Sequence, residues 1–172
     1  MYMKKIMVFF LLCACDTSAI ESFNKKIPTY PNYLKTADAF VGFSETTNRN
    51  DLRTLLKIDP VSYEWCAAFV NAILRVNLIP GSDSVNDYPF MARSFLFWGD
   101  AVQEPRMGDI VIFSRGNQGW QGHVGFYIYA KMVDGENHYV ILGGNQDDKV
   151  SYDTYPVSKV LGIRRLENTN IN

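Results

Sequence analysis

The hydrophobic periodicity of the chain changes once, and this change constrains the fold more than any other sequence feature. Up to Gly99, apolar residues recur at helical spacing and predict four helical segments: 31–41, a short helix capped by Asn50, 63–76, and a segment opened by Pro89 and closed by Gly99. Beyond this point, short apolar segments predict strands at 109–114, 123–131, 138–144, 150–155 and 160–166. Helices followed by strands predict one α+β domain with an antiparallel sheet.

A basic and apolar N-terminus predicts an export signal. Two lysines precede an apolar run, 6–12, that is too short to span a membrane as a helix. The run ends in Leu12-Cys13-Ala14-Cys15, which resembles a bacterial lipobox, where cleavage leaves a lipid-modified cysteine at the new N-terminus. We therefore predict a lipoprotein-type signal peptide at 1–14 and a lipid anchor on Cys15. Ordinary secretion and an uncleaved anchor are the alternatives.

The remaining organisation follows from this signal. A tether at 15–32 leads to a folded domain at 33–168, and a short tail occupies 169–172. We expect a monomer in the cell envelope, anchored to the membrane on the periplasmic side, or a soluble secreted protein if no lipid is attached. The formal net charge of −1 gives no electrostatic footprint for nucleic acid, so we expect no such partner.

Cys66 is the predicted nucleophile. The chain has three cysteines, of which Cys13 leaves with the signal and Cys15 carries the lipid. Cys66 is then alone in an exported domain and cannot be half of an internal disulfide, which marks it as a reactive thiol. Ser62 is the predicted N-cap of the third helix, so Cys66 lies in its first turn, where the helix dipole favours a thiolate. The alternative is a small buried apolar residue.

His123 is the predicted general base. It lies in Gly122-His123-Val124-Gly125 at the start of an apolar strand, where flanking glycines leave the imidazole open to a substrate. His138, the other histidine, lies beside a hairpin tip, where a solvent-exposed role is expected. We predict an ion pair between the Cys66 thiolate and the His123 imidazolium.

A third residue should orient the imidazole, and hairpin geometry nominates it. The turn at Asp134-Gly135 joins two predicted strands. In an antiparallel pair, the residue numbers of two facing residues add up to a constant. A sum near 268 places His123 opposite Asn145, whose amide can accept from the imidazole N–H. A one-residue slip nominates Gln146 instead, and Asn145 then serves only the following turn.

These residues belong to four motifs that occur in one order. The motifs are Trp65-Cys66-Ala67-Ala68-Phe69-Val70, Pro105 with Gly108-Asp109-Ile110-Val111, Gly122-His123-Val124-Gly125, and Gly143-Gly144-Asn145-Gln146. The order resembles the NlpC-like and CHAP-like cysteine peptidases, which share a papain-like core. Within them it is most similar to a bacterial and phage subset that ends in a Gly-Gly-Asn-Gln strand. The resemblance covers about 33–166.

The resemblance implies N-terminal helices packed on a C-terminal antiparallel sheet, and a cysteine endopeptidase or amidase that cleaves amide bonds in peptidoglycan stem peptides. It makes Cys66 the nucleophile, His123 the base and Asn145 the orienting residue. CHAP domains often have a glutamate two residues before this asparagine, but Gly143 stands there, so no fourth polar member is implied. No cofactor is expected, and two histidines without paired ligands predict no metal site.

Four further residues are candidates for binding the substrate. Gln146 is a candidate for shaping the oxyanion site, and Glu45 for lining the cleft, with a solvated helix-end carboxylate as the alternative. Trp65 and Trp120 are candidates for packing on sugar or peptide, or else for core roles. Two other functions stay open: an inactive wall-binding lipoprotein, and a toxin or effector that uses the same triad on another amide.

Overall fold

The computed structural model describes residues 30–166, in which three α-helices precede a six-stranded sheet. The helices are α1 (Asn32–Asp38), α2 (Arg49–Leu56) and α3 (Cys66–Val76). The predicted start of α3 is wrong, because the Ser62 N–H donates to the Asp59 carbonyl at 3.1 Å in a preceding turn. The helix therefore begins three residues later than predicted, with Trp65 as its N-cap.

The predicted fourth helix is instead a 3₁₀ helix at Ala92–Phe97, and two more 3₁₀ turns lie at Ser82–Ser84 and Val157–Lys159. Tertiary hydrogen bonds tie Ala92–Phe97 down at both ends. The Ser94 hydroxyl donates to Ser82 at 2.8 Å, and the indole of Trp98 donates to the Pro80 carbonyl at 2.8 Å. These bonds hold the segment against the rest of the domain although it does not form a regular α-helix.

The sheet is antiparallel throughout, with the strand order β1-β6-β2-β3-β4-β5. Its strands are β1 (Asp100–Val102), β2 (Ile110–Ser114), β3 (Gly122–Val133), β4 (Glu136–Gln146), β5 (Lys149–Pro156) and β6 (Val160–Arg165). The three-residue strand β1 carries no alternating apolar pattern and was not predicted. The predicted α+β, papain-like arrangement of N-terminal helices on a C-terminal antiparallel sheet is confirmed.

The β3–β4 hairpin positions one wall of the site. Asp134 and Gly135 form its turn, both with positive φ, as a type I′ turn requires. In the half of the hairpin nearer the site, Phe126 pairs with Leu142, which gives the predicted sum of 268. The pairing of β4 with β5 then shifts between Gly143 and Gln146, which marks a β-bulge.

Helix α3 supplies the other wall because its N-terminal end packs against β3 and β4. Every residue from Cys66 to Leu74 is buried, so the helix runs through the core. Gly144 of the bulge permits the close approach, since a Cβ there would lie 2.5 Å from the ring of the buried Trp65. Within residues 30–166, no helix has the length and apolar character needed to cross a membrane.

Candidate active site

Cys66 is the first residue of α3 and lies against the backbone of β3. The backbone N–H groups of Val124 and Ala67 lie near enough to its sulfur to lower the pKa of the thiol. Trp65 makes no side-chain cap, so the N–H groups of the first helical turn are not consumed by a capping side chain. The sulfur therefore lies at an electropositive helix end, next to the strand that carries His123.

The imidazole of His123 is held on two sides. Its ring stacks on Tyr155, with centroids 4.8 Å apart and ring planes inclined by 22°. Its Nε2 lies 3.0 Å from Gln146 Oε1. The Gln146 amide nitrogen donates to the Ser151 carbonyl at 2.6 Å, so the amide cannot flip and its oxygen must face the imidazole. His123 therefore carries its proton on Nε2.

The other ring nitrogen of His123, Nδ1, makes no hydrogen bond to the described residues. It is buried and has no hydrogen-bond partner among residues 30–166. A buried polar atom without a partner is costly and uncommon in folded proteins, and such atoms are found where a catalytic group must stay available. The lone pair on Nδ1 is thus not engaged by any of the described residues.

Gln146, and not Asn145, contacts the imidazole, which corrects the register expected at this point. The bulge after Gly143 inserts an extra residue, and Asn145 adopts a left-handed conformation with φ 58°. Its amide nitrogen then donates to Glu64 Oε2 at 2.7 Å instead of reaching His123. Of the two residues that the hairpin register left open, the structure brings Gln146 to the imidazole.

Gly143 leaves the space that the Gln146 amide fills. A Cβ at position 143 would lie 2.8 Å from Gln146 Oε1 and 3.4 Å from His123 Nε2. A side chain there would displace either the amide or the imidazole, because the amide is pinned at its nitrogen end by Ser151. Glycine at this position is therefore required by the Gln146–His123 hydrogen bond.

Burial favours the neutral forms of both reacting groups. Desolvation raises the pKa of the Cys66 thiol, although the N–H groups near its sulfur oppose the effect. Desolvation also lowers the pKa of His123 to about 4, against the hydrogen bond that Nε2 donates to Gln146, which favours the imidazolium. Burial therefore favours a thiol and a neutral imidazole, which opposes the predicted thiolate–imidazolium ion pair.

Cys66 opens into a cleft of about 460 Å³. Its walls come from the start of α3, the segment before the 3₁₀ helix Ala92–Phe97, and the loop between β2 and β3. They carry Glu64, Phe90, Met91, Ala92, Arg115, Gly116, Trp120, Gln121 and Gly122. Trp120 is 62% exposed, so its ring is accessible to a molecule in the cleft. Arg115 approaches Glu64 to 4.0 Å across the cleft.

Trp65 and Glu45 do not line this cleft. Trp65 is fully buried and packs edge-on against Phe69, so it is a core residue and not a substrate platform. Its indole N–H donates to Glu45 Oε2 at 3.0 Å, so this carboxylate, a candidate for lining the cleft, is bonded to a core residue. Glu45 instead borders a second, smaller groove of about 260 Å³ on the other side of Glu64.

Sequence reasoning missed four residues of the site: Glu64, Arg115, Ser151 and Tyr155. Ser151 and Tyr155 lie on β5, which is separated from β3 by β4, so no local pairing relates them to His123. Glu64 is two residues from Cys66, so its position in the sequence could have suggested it, but a surface carboxylate has no distinguishing sequence pattern. No group of three or more His, Cys, Asp or Glu side chains within residues 30–166 is arranged to hold a metal ion.

A comparison with protein-family models matches residues 58–145 to the CHAP domain. The match covers just over half of the chain and includes both Cys66 and His123. The chain therefore belongs to the CHAP family, whose domains are peptidoglycan hydrolases of the cysteine peptidase and amidase type. No curated protein matches the chain.

Proposed function

We propose that this chain is a cysteine hydrolase that cleaves amide bonds in peptidoglycan stem peptides, with Cys66 as nucleophile and His123 as general base. The observation that carries the proposal is the unpartnered Nδ1 of the buried His123 imidazole. The next residue of the same strand, Val124, has its backbone N–H near the Cys66 sulfur. Family membership supports peptidoglycan as the substrate.

The proposed first step is proton transfer coupled to attack. His123 Nδ1 takes the thiol proton as the Cys66 sulfur bonds to the carbonyl carbon of the scissile amide. The negative charge that develops on the carbonyl oxygen is stabilised by free N–H groups in the first turn of α3. Because burial favours the neutral forms of both groups, the charges form only as the sulfur attacks the carbonyl carbon.

The second half of the reaction reverses the proton transfer. His123 gives its Nδ1 proton to the leaving amine, the C–N bond breaks, and a thioester joins the acyl group to Cys66. A water molecule then attacks the thioester carbonyl and gives one proton to His123. The C–S bond breaks, the carboxylic product leaves, and the proton returns to the Cys66 sulfur.

Gln146 is the proposed orienting residue, in place of Asn145. Its oxygen holds the proton on Nε2 and so keeps Nδ1 unprotonated for catalysis, the role that a carboxylate or asparagine has in other triads. A neutral amide adds no charge next to the imidazole, which agrees with the lowered pKa of His123. Asn145 bonds to Glu64 and is not positioned for this role.

We further propose that the hydrolase is anchored in the cell envelope by a lipid on Cys15. The support is the lipobox-like Leu12-Cys13-Ala14-Cys15, which lies outside the residues that the structure describes. Expression in a bacterium, fractionation and intact-mass measurement test the proposal. Acylated protein in the membrane fraction, lost in Cys15→Ser, is expected. A soluble product without acyl mass would instead indicate ordinary secretion.

Digestion of purified peptidoglycan tests the reaction itself. Mass spectrometry of the released fragments distinguishes cleavage of the muramoyl–peptide amide from cleavage within the stem peptide, because the two leave different new termini. New amine and carboxylate termini in the wild-type digest are the expected result. Products with cleaved glycosidic bonds and intact peptides would overturn the proposal.

A further inference from the structure

The smaller groove beside Glu64 contains side chains that have no part in the proposed reaction mechanism. It is bordered by the turn before α3 and by the β4–β5 bulge, with Glu45, Pro60, Val61, Ser62, Tyr63, Glu64, Asn145 and Asp148 in its walls. Glu64 belongs to both this groove and the Cys66 cleft. A molecule in the groove can therefore be part of the same substrate that presents its carbonyl to Cys66.

Asn145 offers this groove an acceptor that nothing else in the described chain uses. Its amide nitrogen is committed to Glu64, because a carboxylate can only accept, and the orientation of the amide is thereby fixed. Its Oδ1 accepts no hydrogen bond from any residue between 30 and 166, although Asn145 is only 7% exposed. An amide oxygen that borders a groove and has no partner among the described residues is suited to a donor on a bound molecule.

Glu64 supplies negative charge at the same place. Its carboxylate is anchored by Asn145, so it points into the boundary between groove and cleft. Arg115 lies 4.0 Å from it, but both side chains are more than half exposed, and an ion pair of this kind contributes little. The carboxylate therefore remains available to a cation supplied by a ligand.

From these contacts we infer that Glu64 and Asn145 form a specificity subsite for a protonated amine of the substrate, positioned next to the scissile amide. The ligand is the free side-chain amine of a diamino acid in an uncross-linked stem peptide. An ammonium group can donate hydrogen bonds to both the Glu64 carboxylate and Asn145 Oδ1. A carboxylate or an apolar group has no donor and cannot do so. The inference rests on the proposed function and names the part of the stem peptide that the enzyme selects.

The size of the groove agrees with this ligand. Its volume of about 260 Å³ lies below the range typical of sites for drug-sized molecules, so it suits one side chain and not a saccharide. The larger cleft, of about 460 Å³, remains for the peptide that carries the scissile bond. Asp148 adds a third carboxylate to the groove, beside Glu45 and Glu64, and no cationic residue lines it.

Chemical blocking of the amine tests the subsite. Purified sacculi are treated with acetic anhydride, which converts free amines to neutral amides and leaves carboxylates and the peptide bonds intact. Initial rates of fragment release are measured by mass spectrometry on treated and untreated sacculi. We expect the wild type to cleave untreated sacculi about tenfold faster, as one partly screened charge-assisted contact allows.

Three variants separate recognition from structure. Glu64→Gln keeps an oxygen for Asn145 but removes the charge, and it should bring the rate ratio close to one by slowing cleavage of untreated sacculi. Asn145→Gly tolerates the positive φ and should lower the ratio in the same direction. Glu136→Gln, at the exposed start of β4, is the matched control and should keep the wild-type ratio.

The outcomes distinguish this subsite from the proposed function. Equal wild-type rates on both substrates, or an unchanged ratio in Glu64→Gln, would overturn the amine subsite and leave the hydrolase intact. Cleavage of neither substrate by the wild type would overturn both. A rate ratio that falls in Glu64→Gln but not in Glu136→Gln, with similar thermal unfolding of both variants, supports the subsite.

Discussion

Replacing Gln146 with methionine removes the hydrogen bond to the imidazole while nearly preserving side-chain volume. Without Gln146 Oε1, the proton of His123 is no longer held on Nε2, and the tautomer with Nδ1 protonated cannot accept from Cys66. Tyr155 still stacks on the ring, so the plane of the imidazole is retained and only the tautomer and in-plane rotation are released. We expect turnover to fall on the order of 10- to 1000-fold, equivalent to about 1.4 to 4 kcal/mol at the transition state.

The folded state should also lose stability in Gln146→Met. The Nε2–H of His123 and the Ser151 carbonyl lose a partner in the interior, at a cost of about 1 to 3 kcal/mol for each group left unsatisfied. Urea unfolding measures this loss independently of activity. Activity must therefore be assayed well below the unfolding midpoint.

Steady-state kinetics on solubilised peptidoglycan fragments test the orienting role. A positioning residue should affect kcat more than KM, because the imidazole is present but misaligned in the transition state. Gln103→Met, on the exposed surface, is the matched control and should behave as wild type. Normal kcat in Gln146→Met, together with a severe loss of kcat in Asn145→Gly, would refute the assignment and return the role to Asn145.

The remaining predictions concern the same buried pair. Since the His123 pKa is lowered to about 4, the unfolded imidazole takes up a proton below pH 6.5 while the folded one does not. The free energy of unfolding should therefore fall by about 3 kcal/mol between pH 6.5 and 4. In urea titrations, His123→Gln should lose this contribution to the pH dependence of stability. Gly143→Ala should lower turnover as Gln146→Met does, because its Cβ would collide with the Gln146 amide, and the circular dichroism spectrum should be unchanged. Full activity of this variant would contradict the requirement for glycine at position 143. Iodoacetamide should label Cys66 more slowly at pH 6 than it labels a small free thiol, because burial raises the pKa of Cys66; faster labelling, abolished by His123→Ala, would restore the ion pair.

Local periodicity predicted the three α-helices and strands β2 to β6 in order, because each of these segments buries apolar residues at a regular spacing in the sequence. The hairpin register was also predictable as far as Phe126 and Leu142, because the turn at Asp134-Gly135 determines which residues face each other. The prediction failed at Asn145 because a bulge adds a residue without any local signal beyond two glycines. The error of one residue exchanged the roles of Asn145 and Gln146.

The chemical state of the pair was not predictable from sequence for a different reason. A helix N-terminus favours a thiolate, and that argument alone predicted an ion pair. The opposing contribution is desolvation, which depends on how completely α3 and the sheet enclose Cys66 and His123. Cys66 is 4% exposed and His123 is 1% exposed, and these tertiary quantities outweigh the local effect of the helix end.

The measurement that tests the central claim most directly is hydrolysis of purified peptidoglycan by Cys66→Ala, compared with wild type at equal concentration and with matched thermal unfolding. The substitution removes the sulfur and leaves the small side chain that α3 tolerates at its buried positions, so folding should be retained. We predict loss of stem-peptide cleavage by at least about 10³-fold, since the covalent route depends on that one atom. Substantial release of the same fragments by Cys66→Ala would contradict the cysteine mechanism.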